Sequence, residues 1–476
     1  MKKTILILLL LISCGFLNDL FSQNLNLLSD KVFWIKSEKA VFVDSIQNQD
    51  YLNFNESINF SNKNILKKQK NIFSDKGSLF IVFRSKSKNE TEILTLKNRD
   101  FNVNIFNKKI VSDKESLIDE YKASTGVIVN FIYNKNLSNK RKGHLILNEI
   151  LFDKSNKQLQ IFEIIFISEN ISNKEKSIIE SYLSIKYGVS LEHNKNYLIS
   201  NGDTIWNAKK DIDFINRITA IGNDSILGLK QIRSKNSLDD GLSINVLSND
   251  KDNMTNVFTD KSFIIWGDNN KKFSLKKDNL SNKKILERVW RLKTFSSESS
   301  QFLAKIVFDR KLINLQDDSN DKQDFIWLAI DSTGTNKIDF KTAKYYKAVV
   351  DEKDQIVFDA IKLNPNSQYL FSLVKGKDTD ITEINQESKV DNVNAEGFRI
   401  YPNPIYKGQL FSIDFNLFEQ SEVITSIYDI NGKLIKSKNL GIIKSYMHQE
   451  TIYTSGTFLI QVSINGKIQS TKLIVR

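Results

Sequence analysis

Gly456-Thr457-Phe458-Leu459-Ile460-Gln461-Val462-Ser463-Ile464-Asn465-Gly466-Lys467-Ile468-Gln469-Ser470-Thr471-Lys472-Leu473-Ile474-Val475-Arg476 reads as two antiparallel strands around one tight turn. Phe458, Ile460, Val462 and Ile464 share one side of the first strand, and Leu459, Gln461 and Ser463 share the other. That period of two marks a strand with one buried face. Asn465-Gly466 places at the turn two residues that tolerate positive φ, as a two-residue hairpin requires. The same signal stands at Asn431-Gly432, between residues 424–428 and 433–435. It recurs at Asn201-Gly202, between residues 197–199 and Thr204-Ile205-Trp206, and at Asp240-Gly241, ahead of residues 242–246.

Working outward, the rest of the chain carries the same β grammar. Residues 24–191 contain short β-branched and aromatic runs at 32–35, 79–83, 127–131 and 161–167, separated by Asn, Ser, Lys and Asp. One helix interrupts them. Ser172 and Glu175 form a capping box, Ile178, Ile179, Tyr182 and Leu183 recur at helical spacing, and Gly188 ends it; the helix is expected as a lid on the sandwich core. Residues 192–375 offer further strands at 263–266, 289–292, 302–308, 325–330 and 369–373, which fit either one large sandwich or two small ones meeting near residue 280. Residues 376–396 are polar and aperiodic, as a linker is, and 397–476 form the closing module. The expected fold class is all-β.

The 476 residues suffice for about three domains, and 40% hydrophobic with 26% charged residues describes a globular chain. Residues 1–23 have the form of an export signal: Lys2-Lys3, an apolar run over 5–12, then a polar stretch to Ser22-Gln23. The run is too short to span a bilayer, and no later segment approaches the roughly twenty apolar residues a membrane helix needs. Cys14, the only cysteine, lies inside this signal, so cleavage near Gln23 leaves no thiol for a disulfide, metal site or nucleophile. Leu11-Ile12-Ser13-Cys14 also fits a lipoprotein signal, in which Cys14 would be lipidated. The formal charge of +12 does not point to nucleic acid, because the lysines are dispersed and clusters such as Lys67-Lys68 and Lys140-Arg141-Lys142 are short. Attraction to acidic polysaccharide or an anionic envelope is the electrostatic alternative.

Four motifs in order, Tyr401-Pro402-Asn403-Pro404, Tyr428-Asp429-Ile430-Asn431-Gly432-Lys433, Gly456-Thr457-Phe458-Leu459-Ile460-Gln461-Val462 and Lys472-Leu473-Ile474-Val475-Arg476, resemble the C-terminal sorting domain of type IX secretion cargo in the Bacteroidota. The family often has Tyr where Phe458 stands. The resemblance implies a small immunoglobulin-like β-sandwich read by an outer-membrane translocon. It also implies cleavage within 376–396 by a sortase-like peptidase, with release or attachment to surface lipopolysaccharide. Residues 163–165, 180–189, 200–202, 205–207, 221–224 and 265–269 are similar to an uncharacterised domain of bacterial surface proteins that follows a concanavalin A-like, laminin-G-like sandwich. Residues 32–36, Leu52-Asn53-Phe54-Asn55 and 80–83 resemble the start of that sandwich. No activity, cofactor or catalytic residue comes with either resemblance.

The residues themselves offer little chemistry. A glycosidase on such a sandwich would carry paired carboxylates as Glu-x-Asp-x-x-Glu, but Glu352-Lys353-Asp354 is followed by Val357 where the third acid belongs, leaving a charged turn. His144, His193 and His448 are far apart and read as surface or turn histidines. Asp317-Asp318-Ser319-Asn320-Asp321 with Asp324 is rich in oxygen ligands but lacks the glycine of a calcium loop; Asp239-Asp240 and Asp268-Asn269-Asn270 read likewise as turns. Trp34, Trp206, Trp266, Trp290 and Trp327 sit in apolar strand patterns and read as core residues in preference to a sugar-stacking platform, Trp206 beside its turn being the best candidate for partial exposure. The expectation is a noncatalytic, secreted or cell-surface β protein in adhesion or glycan contact. The alternatives are a divergent polysaccharide hydrolase and a passive surface-layer component.

Overall fold

The computed structural model describes residues 32–37, 51–60, 70–73, 76–97, 102–112, 115–118, 123–134, 143–152, 158–238, 241–247, 258–277, 283–298, 301–311, 325–349, 355–377, 398–401 and 403–476. The expected export signal with Cys14, most of the expected linker, both basic clusters, Asp239-Asp240, Asp317–Asp324, Glu352 with Asp354, and Pro402 lie outside the described residues. The chain is nearly all β and divides into two compact units, residues 1–380 and 381–476.

In the first unit a four-stranded sheet runs in the order Val32–Lys36, Leu159–Ile167, Lys76–Ser85, Val127–Asn134. A six-stranded sheet runs Lys70–Phe73, Gly143–Leu147, Glu92–Lys97, Asn102–Phe106, Ile110–Ser112, Glu115–Ile118. Leu79, Ile81, Phe83, Ile164 and Phe166 of the first sheet share a core with Leu94, Leu96, Val103, Ile105 and Leu145 of the second. Every pairing in the two sheets is antiparallel.

Helix α1 (Asn173–Tyr187) starts at the expected capping box: Ser172 Oγ accepts from the Glu175 amide, and the Glu175 carboxylate accepts from the Ser172 amide. It does not cover the core between the two sheets. Ile178, Ile179, Tyr182, Leu183 and Ile185 pack instead with Phe80, Val82, Phe162 and Ile165 on the opposite face of the four-stranded sheet. On its other side lie Ile218 and Ala220 of strand Asn216–Asp224 and Phe263 and Ile265 of strand Ser262–Asp268. All ten residues from Ile178 to Tyr187 are buried. A helix walled in on all sides must bury polar residues as well, which periodicity alone does not announce.

Residues 197–377 resolve the choice left open at residue 280 in favour of a single large sandwich. A nine-stranded sheet, including Asn216–Asp224, Ser262–Asp268, Trp290–Phe295, Phe325–Asp331 and Gln368–Gly376, faces a four-stranded sheet of Arg233–Lys235, Leu242–Val246, Phe302–Asp309 and Gln355–Leu363. Strands from both sides of 280, Ser262–Asp268 and Trp290–Phe295, pair directly. Trp266, Trp290, Phe308, Phe358 and Phe371 fill the shared core.

In the second unit, strands Leu410–Asp429 and Leu434–Thr451 form one long hairpin whose register breaks between Asn416 and Ser421. The half before the break pairs with Phe398–Tyr401, and the half after it pairs with Gly456–Ile464, which in turn pairs with Lys467–Val475. Phe411, Ile413 and Phe415 from one half and Val423 and Ile427 from the other meet Ile460, Val462 and Leu473 in one core.

Candidate functional site

The chemically richest cluster lies where α1 meets the four-stranded sheet. Strand Leu159–Ile167 is buried along its whole length because both faces are covered. An irregularity between Ile161 and Glu163 brings Phe162 and Glu163 to the helix side together. Glu163 is fully buried. Its Oε1 accepts from Trp34 Nε1 (2.5 Å) and the Tyr182 hydroxyl (2.9 Å); its Oε2 accepts from Lys186 Nζ (2.7 Å) and the Tyr187 hydroxyl (2.6 Å). The Lys186 ammonium also lies over the Tyr182 and Tyr187 rings, 5.5 and 5.1 Å from their centroids.

Burial, reinforced by the Glu163 charge, holds both tyrosine hydroxyls well above the ordinary phenol range. Burial also pulls Lys186 below the usual lysine value, with Glu163 opposing. The phenols are therefore fixed as donors at neutral pH. With four donors on two oxygens, the carboxylate is committed to joining helix and sheet.

The helix C-terminus is held by the 52–55 segment. Asn53 Nδ2 donates to the Ile185 and Lys186 carbonyls (both 3.1 Å), and Asn55 Nδ2 donates to the Lys186 carbonyl at 2.7 Å. These bonds satisfy carbonyls that the helix end leaves without partners. Asn53 Oδ1 accepts from the Lys235 amide (2.7 Å) and Ser234 Oγ (3.1 Å), so one side chain ties the helix end to strand Arg233–Lys235 of the second sandwich. Gly188 has φ +64, and the Lys235 carbonyl stands where its Cβ would be.

Three further buried aspartates repeat this design. Asp211 binds Arg291 Nη1 at 3.0 Å and Lys293 Nζ at 2.6 Å; burial lowers the Lys293 pKa, with Asp211 opposing. Asp224 accepts from the Ser200 amide (2.9 Å) and Lys261 Nζ (3.0 Å). Asp268, expected in a turn, ends a buried strand and takes a two-point contact from Arg217 together with the Asn270 amide. Groups of three or more His, Cys, Asp or Glu able to hold a metal are absent among the described residues. Trp206 is fully buried under the Lys293 ammonium, 5.3 Å from its centroid, so it offers no exposed ring; Trp266 and Trp290 are buried too. Trp34 and Trp327 retain partial exposure.

In the second unit, sequence-distant motif residues meet. Asn403 Nδ2 donates to the Lys472 carbonyl (2.7 Å), and its Oδ1 accepts from the Ile474 amide (2.9 Å). Ile405 extends the clamp: its amide donates to Ile474 O (2.9 Å) and its carbonyl accepts from the Arg476 amide (2.8 Å). Tyr401 ends its strand opposite Ser412, and Pro404 follows Asn403. Leu473 and Val475 point into the core, whereas Lys472, Ile474 and Arg476 are exposed. Gly456 opens its strand opposite Val475. Asn431 and Gly432 form the hairpin turn, where Asp429 Oδ1 accepts from the Asn431 and Lys433 amides (both 2.9 Å). The structure thus joins Asn403 to the 472–476 strand and leaves Asn431-Gly432 at a separate turn. Asn403→Ala should remove two hydrogen bonds, cost about 1–3 kcal/mol, and speed hydrogen exchange at the Ile474 amide. Unchanged exchange there would refute the clamp.

His144 and His193 are exposed, but His448 is not a surface histidine. It lies buried beside Glu450, its Nε2 2.9 Å from Oε1, and Glu450 also pairs with Lys436 from the other half of the same strand. The hairpin therefore folds back on itself, which residue spacing did not reveal. Burial lowers the His448 pKa below 6.5, Lys438 and Lys436 adding to it and Glu450 opposing. The unfolded chain then binds the proton more readily, so this unit should lose stability as pH falls through about 6.5. His448→Gln should flatten that slope in thermal melts between about pH 7.5 and 5.5.

With this geometry in place, comparison with known proteins is informative at one end of the chain. Residues 399–476 match the secretion system C-terminal sorting domain. The protein therefore carries a type IX sorting domain, handled by the type IX secretion machinery, and its destination is the cell surface or the extracellular space. Residues 175–368 match a domain of unknown function, DUF8202, whose first matched residue lies inside α1. No curated protein matches the chain. Solved structures similar to it include the CARDB domain of a Pyrococcus furiosus protein in complex with di-metal ions, at 14% identity, 17% coverage of this chain, 90% of that one, and TM-score 0.12. A polysaccharide lyase is 12% identical, with 50% of this chain and 34% of that one covered and TM-score 0.15; the match spans about a third of the lyase. At such TM-scores neither carries an argument. Among the described residues no helix is long and apolar enough to cross a membrane.

Proposed function

We propose that this is a noncatalytic β protein that acts outside the cell in adhesion or carbohydrate contact, its first unit being the cargo and its second the export label. One observation carries the noncatalytic part. Among the described residues of the first unit, the buried carboxylates Glu163, Glu180, Asp211, Asp224 and Asp268 each pair with Lys or Arg, and Asp331 accepts two backbone amides. Carboxylates held in this way join the layers of the fold, and their lone pairs are already taken by protein donors. Adhesion or glycan contact rests on the concanavalin A-like, laminin-G-like resemblance of residues 24–191, an analogy of fold. Cleavage within 376–396 by a sortase-like peptidase, with release or anchoring to lipopolysaccharide, belongs to the same proposal.

A glycan array paired with turnover assays on the same polysaccharides tests it. Binding without product supports the reading. Product release would establish the hydrolase alternative, and silence in both assays would favour a passive surface-layer role.

A further inference from the structure

Exposed large apolar side chains are concentrated in the sorting domain: 12 of the 17 among the described residues lie between Tyr406 and Ile474. Five of them, Leu434, Ile435, Ile442, Tyr446 and Met447, belong to strand Leu434–Thr451. This strand pairs with Leu410–Asp429 on one side, and no other described strand pairs with it. From Leu434 to Asn439 every residue is exposed, so neither face is covered by another layer there, although Val423 and Ile427 on the neighbouring strand are buried. A long strand with one open edge, apolar side chains and, over residues 434–439, little cover is the arrangement that accepts an added strand.

Its charge narrows the occupant. Lys433 and Lys438 are exposed at the open half, and Lys436 lies between them, paired with Glu450. Lysines along an edge repel a second copy of the same edge, which argues against self-pairing. They favour a partner strand that presents acidic side chains between apolar ones.

Building on the export reading, we infer that strand Leu434–Thr451 is the surface on which the export machinery docks, by adding an extended, acidic and apolar strand along its open edge. Backbone pairing would supply affinity with little demand on cargo identity, while Leu434, Ile435 and Ile442 would supply apolar anchors.

The test uses the full chain in secreting cells. Two edge variants, Lys433→Glu/Lys438→Glu and Ile435→Ser/Ile442→Ser, are compared with Leu459→Ser/Ile468→Ser, which alters exposed apolar residues on the other hairpin, and with deletion of 397–476. All positions substituted are exposed, and each variant's thermal melt is compared with that of the unaltered chain. Both edge variants should lower the extracellular fraction about tenfold or more, the scale of losing interface anchors, while the Leu459/Ile468 variant is exported. Export of the edge variants at the unaltered level, or equal loss in the Leu459/Ile468 variant, would overturn the edge assignment. Export of the deletion would instead overturn the sorting reading itself.

Discussion

Deletion of residues 397–476 should reduce the extracellular amount of this protein to background and leave a folded chain in the periplasm. The two halves of that result have separate causes. Loss of export follows because residues 399–476 are the sorting domain. Retention of fold follows because each unit closes its own core: Phe411, Ile413, Ile460, Val462 and Leu473 serve the second unit, and three apolar clusters complete the first without them. Cell fractionation locates the shortened chain, and circular dichroism with a thermal melt reports its fold. A shortened chain found outside the cell at the normal level would remove the export assignment.

Glu163→Ala should be the most damaging single substitution in the first unit. It leaves the Lys186 ammonium buried without its counter-charge and strips acceptors from Trp34, Tyr182 and Tyr187 at one stroke. Removing one partner of a buried ion pair costs about 3–5 kcal/mol, a large share of the 5–15 kcal/mol that an ordinary domain has in hand. The expected readout is a first-unit transition lowered by several degrees, or loss of soluble protein. Removing both charges, as Glu163→Gln with Lys186→Met, should recover part of the loss, because an apolar replacement of the pair avoids the stranded ammonium. A single variant melting like the unaltered chain would show that Glu163 does not join helix to sheet.

The hairpin turns, the strands and the helix cap were legible because each is written in consecutive residues. Asn431-Gly432 and Asn465-Gly466 sit at the turns they announce, Gly466 with φ +81, and Ser172 with Glu175 closes the box its spacing implies. What escaped depends on pairings across many residues. In Leu159-Gln160-Ile161-Phe162-Glu163-Ile164-Ile165-Phe166-Ile167, a lone carboxylate within a nine-residue buried strand was the available signal, but its partners stand at positions 34, 182, 186 and 187. Asn53 and Asn55 cap a helix about 130 residues later, for which no local pattern exists. Trp206 takes the core role its apolar strand pattern favoured; the neighbouring turn suggested partial exposure, but the covering Lys293 comes from another strand. The helix as lid failed because an apolar stripe shows that one face is buried and is silent about what covers the rest.

That helix has a consequence for how the first unit can be divided. Since α1 serves as inner wall for both sandwiches, cutting the chain between them exposes apolar surface whichever fragment keeps it. A fragment starting at residue 192 would present Ile218, Ala220, Phe263 and Ile265 to water, and one ending at 171 would bare Phe80, Val82, Phe162 and Ile165. Either piece made alone should clump, so residues 32–377 behave as one indivisible block: a keystone taken from an arch leaves neither side standing.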